Sequence, residues 1–177
     1  MESTNIGTRY DLPAFGWDEV RTHLEGGIVQ GPGSGAPDHR TVWLSTVNDD
    51  GSPHVTGVGS VFVEGTVWIV SGLGVRKGRN MRRDPRVALS LTVPGIDLVV
   101  EGRAELVTDA ATVARLAEHY RTNEGWPAEP DASGTAFTAP FSAPSAGPAP
   151  WHLFRVEVTS AHAVKAVDPG GAMRWRF

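Results

Sequence analysis

Between residues 41 and 107 the chain forms five mainly apolar segments that are joined mostly by short connections. The segments are residues 41–47, 53–63, 66–71, 87–93 and 98–107. A parallel pair of strands needs a crossover of about a dozen residues or more, whereas an antiparallel pair needs only a tight turn. The connections 48–52, 64–65 and 94–97 therefore predict an antiparallel meander or barrel, and Gly102 predicts a bend in the last strand.

Helices and a sixth strand are predicted on both sides of this region. A helix is expected at 17–24, a turn-rich connector at 31–38, a helix at 109–121 capped by Thr108, and a strand at 153–164. The chain is interpreted as one domain with five parts: an N-terminal arm and helix (1–37), barrel strands (38–107), a helix (108–125), a Pro/Ala-rich loop (126–150), and a final strand and tail (151–177).

The loop 126–150 permits two interpretations. Its Pro, Ala, Ser and Gly content is typical of a linker or disordered segment. Trp126, Phe137 and Phe141 lie within it and Trp151 follows, and aromatic side chains usually find surface to bury. An ordered loop that covers a site or an interface is an equal alternative.

Composition excludes several classes of function. The absence of cysteine removes disulfides, thiolate catalysis and cysteine-bound metals. The six histidines show no ligand spacing, so no metal site is predicted, and no Gly-x-Ser-x-Gly motif is present. The sequence offers no dedicated nucleophile or general acid, and an enzyme of this kind would depend on a bound cofactor. Without a signal peptide or an apolar run of about 18 residues, a cytoplasmic protein outside the membrane is expected.

The basic stretch at 71–85 is interpreted as a phosphate site. Two glycines precede a short helix whose first residues include Arg76, Lys77, Arg79 and Asn80, and backbone N–H groups at a helix start bind anions. A dinucleotide fingerprint and a P-loop both fail here because the required glycine and Gly-Lys-Ser/Thr positions are missing. The alternative is a solvated basic helix, partly neutralised by Asp84.

The strand from 53 to 59 has small residues and glycines where a core strand would have Val and Ile. Glycine in a strand lets another group approach the backbone closely, and a flat ring is one candidate. A bulged edge strand is the equal alternative.

These signals, taken in order, resemble the pyridoxamine 5′-phosphate oxidase-like, FMN-binding split-barrel superfamily, and within it the flavin/deazaflavin oxidoreductases. The resemblance rests on residues 41–47, the Asp50-Gly51 hairpin, 53–55, 68–71 and above all 76–87. It implies a mainly β fold with flanking helices: a six-stranded antiparallel split β-barrel, usually a homodimer with cofactor sites between the subunits.

The resemblance also implies roles for individual residues. Arg76, Lys77 and Asn80 would hold the phosphate of FMN or, alternatively, of coenzyme F420. The cofactor ring would lie along His54, Val55 and Thr56, with Ser71, and would exchange a hydride with a small organic substrate. The extra Arg82 and Arg83 could meet the acidic tail of F420, and Trp175 and Arg176 would reach the partner's site.

The chain departs from pyridoxamine phosphate oxidases in its ending, Arg174-Trp175-Arg176-Phe177, where those enzymes have Arg-Leu-x-Pro. Vitamin B6 oxidation is therefore not implied. A non-catalytic barrel that binds FMN or haem is the alternative function. A nucleic-acid-binding barrel is disfavoured by the net charge of −4.

Overall fold

The computed structural model describes residues 1–27 and 41–177, so the predicted connector at 31–38 lies outside the described residues. The helices are α1 (Trp17–Glu25), α2 (Arg76–Arg83) and α3 (Ala110–Asn123), with single 3-10 turns at Thr8–Tyr10 and Pro144–Ala146. The strands are β1 (Glu2–Asn5), β2 (Val42–Val47), β3 (Pro53–Val58), β4 (Ser60–Val63), β5 (Thr66–Ser71), β6 (Arg86–Val93), β7 (Ile96–Val107), β8 (Glu129–Pro130), β9 (Phe137–Thr138), β10 (His152–Lys165) and β11 (Gly171–Arg176).

The main sheet is antiparallel and curved, and it confirms the predicted split barrel. Its strands follow the order β1-β11-β10-β7-β6-β2-β3, while β5 pairs with the first part of β10 and also with β4. The register between β7 and β10 changes between Val158 and Ser160, opposite Gly102. A Cβ on Gly102 would lie 2.2 Å from the Glu157 carbonyl oxygen, so this glycine permits the close approach of the strands at the irregularity.

The described residues place nine strands in this sheet, whereas the sequence predicts six. The predicted strand 53–63 divides at Gly59, where the chain leaves β2 as its partner and β4 takes up β5. The predicted N-terminal arm begins with β1, and the predicted tail forms β11. These two strands pair with each other, and β11 also pairs with β10. β1 and β11 lie at opposite ends of the sequence, so the local alternation of apolar and polar residues does not reveal that they pair.

The barrel interior is filled by the inward-facing residues of the sheet and closed by α1. Val20 and Leu24 of α1 are buried in this core, as the predicted apolar face of the helix requires. Trp175 is 1% exposed and packs edge-on against Phe15 and Trp17, with ring centroids 5.7 and 5.3 Å apart. The expectation that Trp175 reaches a partner's site is therefore wrong, because its ring is committed to the core of its own chain.

A second core joins α3 to the Pro/Ala-rich loop, which is ordered in the structure. Tyr120 contacts Trp126 and Phe137 through edge-on ring pairs at 5.3 and 5.8 Å, and Trp126 lies 5.8 Å from Trp151. The linker interpretation of 126–150 is therefore wrong, although Phe141 itself remains exposed.

The cap of α3 is one residue later than predicted. The Asp109 carboxylate accepts a hydrogen bond from the Thr112 backbone N–H at 2.8 Å. The side chain of a capping residue accepts a hydrogen bond from the N–H of the second or third residue of the helix, so Asp109 takes the place expected for Thr108.

Candidate functional site

Helix α2 is docked against the hairpin between β2 and β3. The Asn80 amide nitrogen Nδ2 donates to Thr46 Oγ1 at 3.0 Å and to Asn48 Oδ1 at 3.1 Å. Arg83, one turn further along the same face, forms an ion pair with Asp49. These contacts hold the second half of α2 beside the hairpin.

The start of α2 is an open and positively polarised helix end. Val75 precedes the helix in an extended conformation without a side-chain cap among the described residues, and the first turn contains no acidic residue. The first N–H groups of a helix have no intrahelical partner and carry the positive end of its dipole. A Cβ built on Gly74 would meet no described heavy atom within 4 Å, so this end is open to a ligand.

Two of the neighbouring cations are neutralised by carboxylates. Arg83 pairs with Asp49, and Arg86 holds Asp84 with an Nη2–Oδ2 distance of 2.6 Å. Hydrogen bonds from Arg86 lower the pKa of Asp84 from 3.8 to about 2. Asp84 therefore pairs with Arg86 and not with the basic residues at the start of α2.

No ion pair within residues 1–27 and 41–177 neutralises the charge at the start of α2. The pKa of the Asp50 carboxyl is lowered first by hydrogen bonds from Ser52 and only last by the charge of Arg76. Arg76 is exposed and forms no hydrogen bond or ion pair with any described residue. The pKa of His54 on β3 is lowered, first by its partial burial and then by the charges of Arg76 and Lys77. The two cations therefore add to the effect of burial on the imidazole, and a positive charge near His54 favours the binding of an anion.

Lys77 differs from Arg76 in its surroundings. Only 3% of the residue is exposed, and its Nζ donates to the backbone carbonyl of Ser145. Burial lowers the pKa of this ammonium. Lys77 therefore contacts the Pro/Ala-rich loop, while Arg76 stays open to solvent.

The residues predicted to lie along a cofactor ring are divided between two faces. His54 and Thr56 are paired with Thr46 and Leu44, so they point toward the barrel side of β3. Val55 points to the outer face and is 55% exposed.

The remaining two predicted residues, Ser71 and Asn80, are buried. Ser71 is fully buried at the end of β5, where its Oγ donates to the Gly72 carbonyl at 3.1 Å. The two hydrogen bonds of the Asn80 amide are already made to the hairpin. Among the predicted phosphate ligands, the structure leaves Arg76 free, whereas Lys77 and Asn80 are engaged with the protein.

A groove of about 570 Å³ crosses the outer face of the sheet. It lies next to β3, and its lining includes the half-exposed Trp43 and Val164. Its polar wall contains His162, whose Nε2 accepts a hydrogen bond from Arg174 Nε at 3.1 Å.

Sequence reasoning missed Ser145, which joins the loop to the site. Its carbonyl receives the Lys77 ammonium and its hydroxyl donates to the Gly57 carbonyl on β3 at 3.3 Å. No motif marks this serine, because it lies in a stretch whose composition resembles a linker.

No helix among residues 1–27 and 41–177 is long and apolar enough to cross a lipid bilayer. The same residues contain no group of three or more His, Asp or Glu side chains placed to hold a metal ion.

Comparison with solved structures identifies the fold. An FMN-binding, pyridoxamine 5′-phosphate oxidase-related protein from Nostoc punctiforme aligns with a TM-score of 0.59 at 14% identity, covering 93% of each chain. A conserved hypothetical protein from Mycobacterium tuberculosis gives 0.56 at 19% identity, covering 86% of each chain. A putative pyridoxamine 5′-phosphate oxidase from Listeria innocua gives 0.52 at 18% identity, covering 81% of this chain and 94% of the other.

A search of curated protein sequences found no match. The sequence profile of the pyridoxamine 5′-phosphate oxidase family, in contrast, matches residues 35–163, which span the barrel strands, α3 and most of β10. The chain therefore belongs to the pyridoxamine 5′-phosphate oxidase family.

Proposed function

We propose that the protein is a flavin- or deazaflavin-dependent oxidoreductase that binds FMN or coenzyme F420 and acts on a small organic substrate. The observation that carries the proposal is the open start of α2, where the exposed Arg76 has no partner among the described residues. Both cofactors carry a phosphate group, and when bound their ring supplies the hydride chemistry.

The start of α2 fits a phosphate in charge and in access. The dipole of a helix disfavours cations in its first turn by about 0.3–1 kcal/mol each, yet Arg76, Lys77 and Arg79 all stand there. An anion at the free N–H groups would reverse this repulsion and would accept a charge-assisted hydrogen bond from Arg76. His54 faces the same positive potential from β3.

Strand β3 is the proposed support of the cofactor ring. It is the last strand of the sheet path and pairs with β2 alone within the described residues. Its side chains at 54 and 56 lie on the same face of the sheet as Thr46, which contacts α2 through Asn80, so a ring held by its phosphate at the helix start would lie against them. Ser71, fully buried behind the site, would support the turn into α2 rather than touch the ring.

We further propose that a second copy of the chain covers the outer face of the sheet. Trp43, Val55 and Val164 are each more than 50% exposed there, and large apolar patches of this kind are typical of interfaces. A symmetric dimer formed through this face would place β3 of each copy near the partner. Arg176, which is exposed at the end of β11, is the side chain of the tail that can approach a partner's site.

The test is a fluorescence titration of the purified protein with FMN and separately with F420. Arg76→Met should weaken the affinity for the bound cofactor by at least tenfold, because one charge-assisted hydrogen bond contributes about 1.5–3 kcal/mol. Arg82→Met is the matched control for FMN: it removes a second exposed arginine of α2 that has no hydrogen bond or ion pair with a described residue, and it should leave the affinity for FMN unchanged. If neither cofactor binds the wild-type protein, the proposal is wrong.

Turnover distinguishes an enzyme from a binding protein. The loaded enzyme should show reduction or reoxidation of its cofactor when NAD(P)H, oxygen or a reducible small molecule is added. A loaded protein whose cofactor spectrum stays constant with every one of these would be a non-catalytic carrier.

A further inference from the structure

Residues 143–148, here called the strap, pack against the turn that leads from β5 into α2. The Gly72 backbone N–H donates to the Ala146 carbonyl at 3.0 Å. A Cβ on Gly72 would lie 2.6 Å from that oxygen, and one on Gly147 would lie 2.5 Å from Val75 Cγ1. The strap is therefore packed against the turn between β5 and α2 without room for an added methyl group.

The strap also reaches β3 on the other side of the opening in the barrel. Ser145 Oγ donates to the Gly57 carbonyl at 3.3 Å, while β3 and β5 take different strands as partners within the described residues. The strap thus spans the gap between β3 and the end of β5, next to the open start of α2.

Lys77 provides the charged contact that holds this segment. Successive residues of a helix are separated by about 100° around its axis, so Arg76 and Lys77 point in different directions from the same turn. Arg76 is exposed, whereas Lys77 is 3% exposed with its Nζ on the Ser145 carbonyl. An anion could contact this ammonium only by displacing the atoms that now cover it.

We propose that Lys77 is a positioning residue that holds the strap closed across the gap in the barrel, so that the strap forms one wall of the cofactor site. The phosphate is then held by Arg76 and the backbone of α2, not by Lys77. The part of this proposal that concerns the loaded site depends on the proposed function, whereas the contact between Lys77 and the strap does not.

The first test is amide hydrogen exchange of the cofactor-free protein. Lys77→Met keeps the apolar stem of the side chain but removes the ammonium. It should accelerate exchange at the Gly72 N–H at least tenfold, because the acceptor of that N–H is the strap carbonyl of Ala146. Arg76→Met is the matched control on the adjacent residue, and it should leave this exchange unchanged. Unchanged protection of Gly72 in Lys77→Met would overturn the proposal.

A second pair of variants separates the strap from the folding of α2. Gly147 has φ +73°, and a Cβ added there would lie 2.5 Å from Val75 Cγ1. Gly147→Ala should therefore displace the strap without altering Lys77. It should reproduce the Lys77→Met exchange pattern. Lys77→Arg, which keeps a cation, should retain more of the protection than Lys77→Met. Equal loss in both Lys77 variants would show that the charge does not hold the strap.

The loaded site is tested by comparing FMN with riboflavin, which lacks the phosphate. Lys77→Met should weaken both ligands by the same factor, since a displaced wall affects the ring. Arg76→Met should weaken FMN alone and so lower the FMN/riboflavin affinity ratio. A lowered ratio in Lys77→Met would make Lys77 a phosphate ligand and overturn the proposal. If the wild-type protein binds neither ligand, the exchange experiment alone decides the role of Lys77.

Discussion

Gly78→Ala is expected to destabilise the protein although alanine favours helices. A Cβ on Gly78, in the middle of α2, would lie 2.1 Å from the Gly72 carbonyl oxygen and 3.1 Å from its carbon. Ordinary carbon–oxygen contacts begin at about 3.3 Å, so the two backbones would have to separate by about 1.2 Å.

Gly72 has little freedom to move away. Its N–H is bonded to the Ala146 carbonyl at 3.0 Å, and the same oxygen lies 2.6 Å from the position of a Cβ on Gly72. Forced overpacking of this kind costs about 1–3 kcal/mol, or more when backbone is involved. The gain from replacing glycine by alanine within a helix is about 1 kcal/mol. Because the clash is between backbone atoms, we take the upper end of the overpacking cost and expect a net loss of about 2 kcal/mol in the free energy of unfolding.

Urea denaturation followed by circular dichroism measures this loss as a lower midpoint at an unchanged m value. Gly74→Ala is the matched control, since a Cβ there would meet no described atom within 4 Å. Its stability should stay within about 0.5 kcal/mol of the wild type. A Gly78→Ala protein as stable as the wild type, or a Gly74→Ala protein equally damaged, would refute the packing argument.

Three further predictions concern single contacts of the same structure. Asn80→Ala should lower the free energy of unfolding, measured with urea, by about 2 kcal/mol, because one buried and one partly buried hydrogen bond are lost at about 1 kcal/mol each. Asp84 should titrate by carboxyl NMR near pH 2, and Arg86→Gln should return its pKa toward 3.8. Because that pKa is lowered in the folded state, the pair stabilises the fold above pH 3.8 and loses this contribution as the pH falls toward 2. Asp109→Ala should cost about 1 kcal/mol in thermal unfolding, whereas Thr108→Ala should cost much less.

Sequence reasoning succeeded where the physical cause is local. Short connections between alternating segments favour antiparallel pairing, which led to an antiparallel meander or barrel, and the resemblance to a known family then implied the split barrel. The helix at α1 and the basic helix at α2 also follow from neighbouring residues, because periodicity, capping and turn chemistry act over a few positions.

Sequence reasoning failed where the residues that contact each other lie far apart in the sequence. From the sequence alone, Trp175 looks like an exposed aromatic residue near the end of the chain. In the structure it belongs to β11, whose position in the sheet buries the ring beside Phe15 and Trp17. The strand predicted at 53–63 divides at Gly59 because its two halves find different partners, a choice that depends on the whole barrel.

By itself the sequence determined that this protein is an antiparallel barrel of the pyridoxamine 5′-phosphate oxidase family with a short basic helix between the strands predicted at 66–71 and 87–93. Only the tertiary structure decided which cations of that helix remain free. Arg76 and Lys77 are adjacent in the chain, yet the partner of Lys77 lies 68 residues away in a loop without a recognisable pattern. The direction in which a side chain points follows from its own helix, whereas what it meets there depends on the packing of the entire chain.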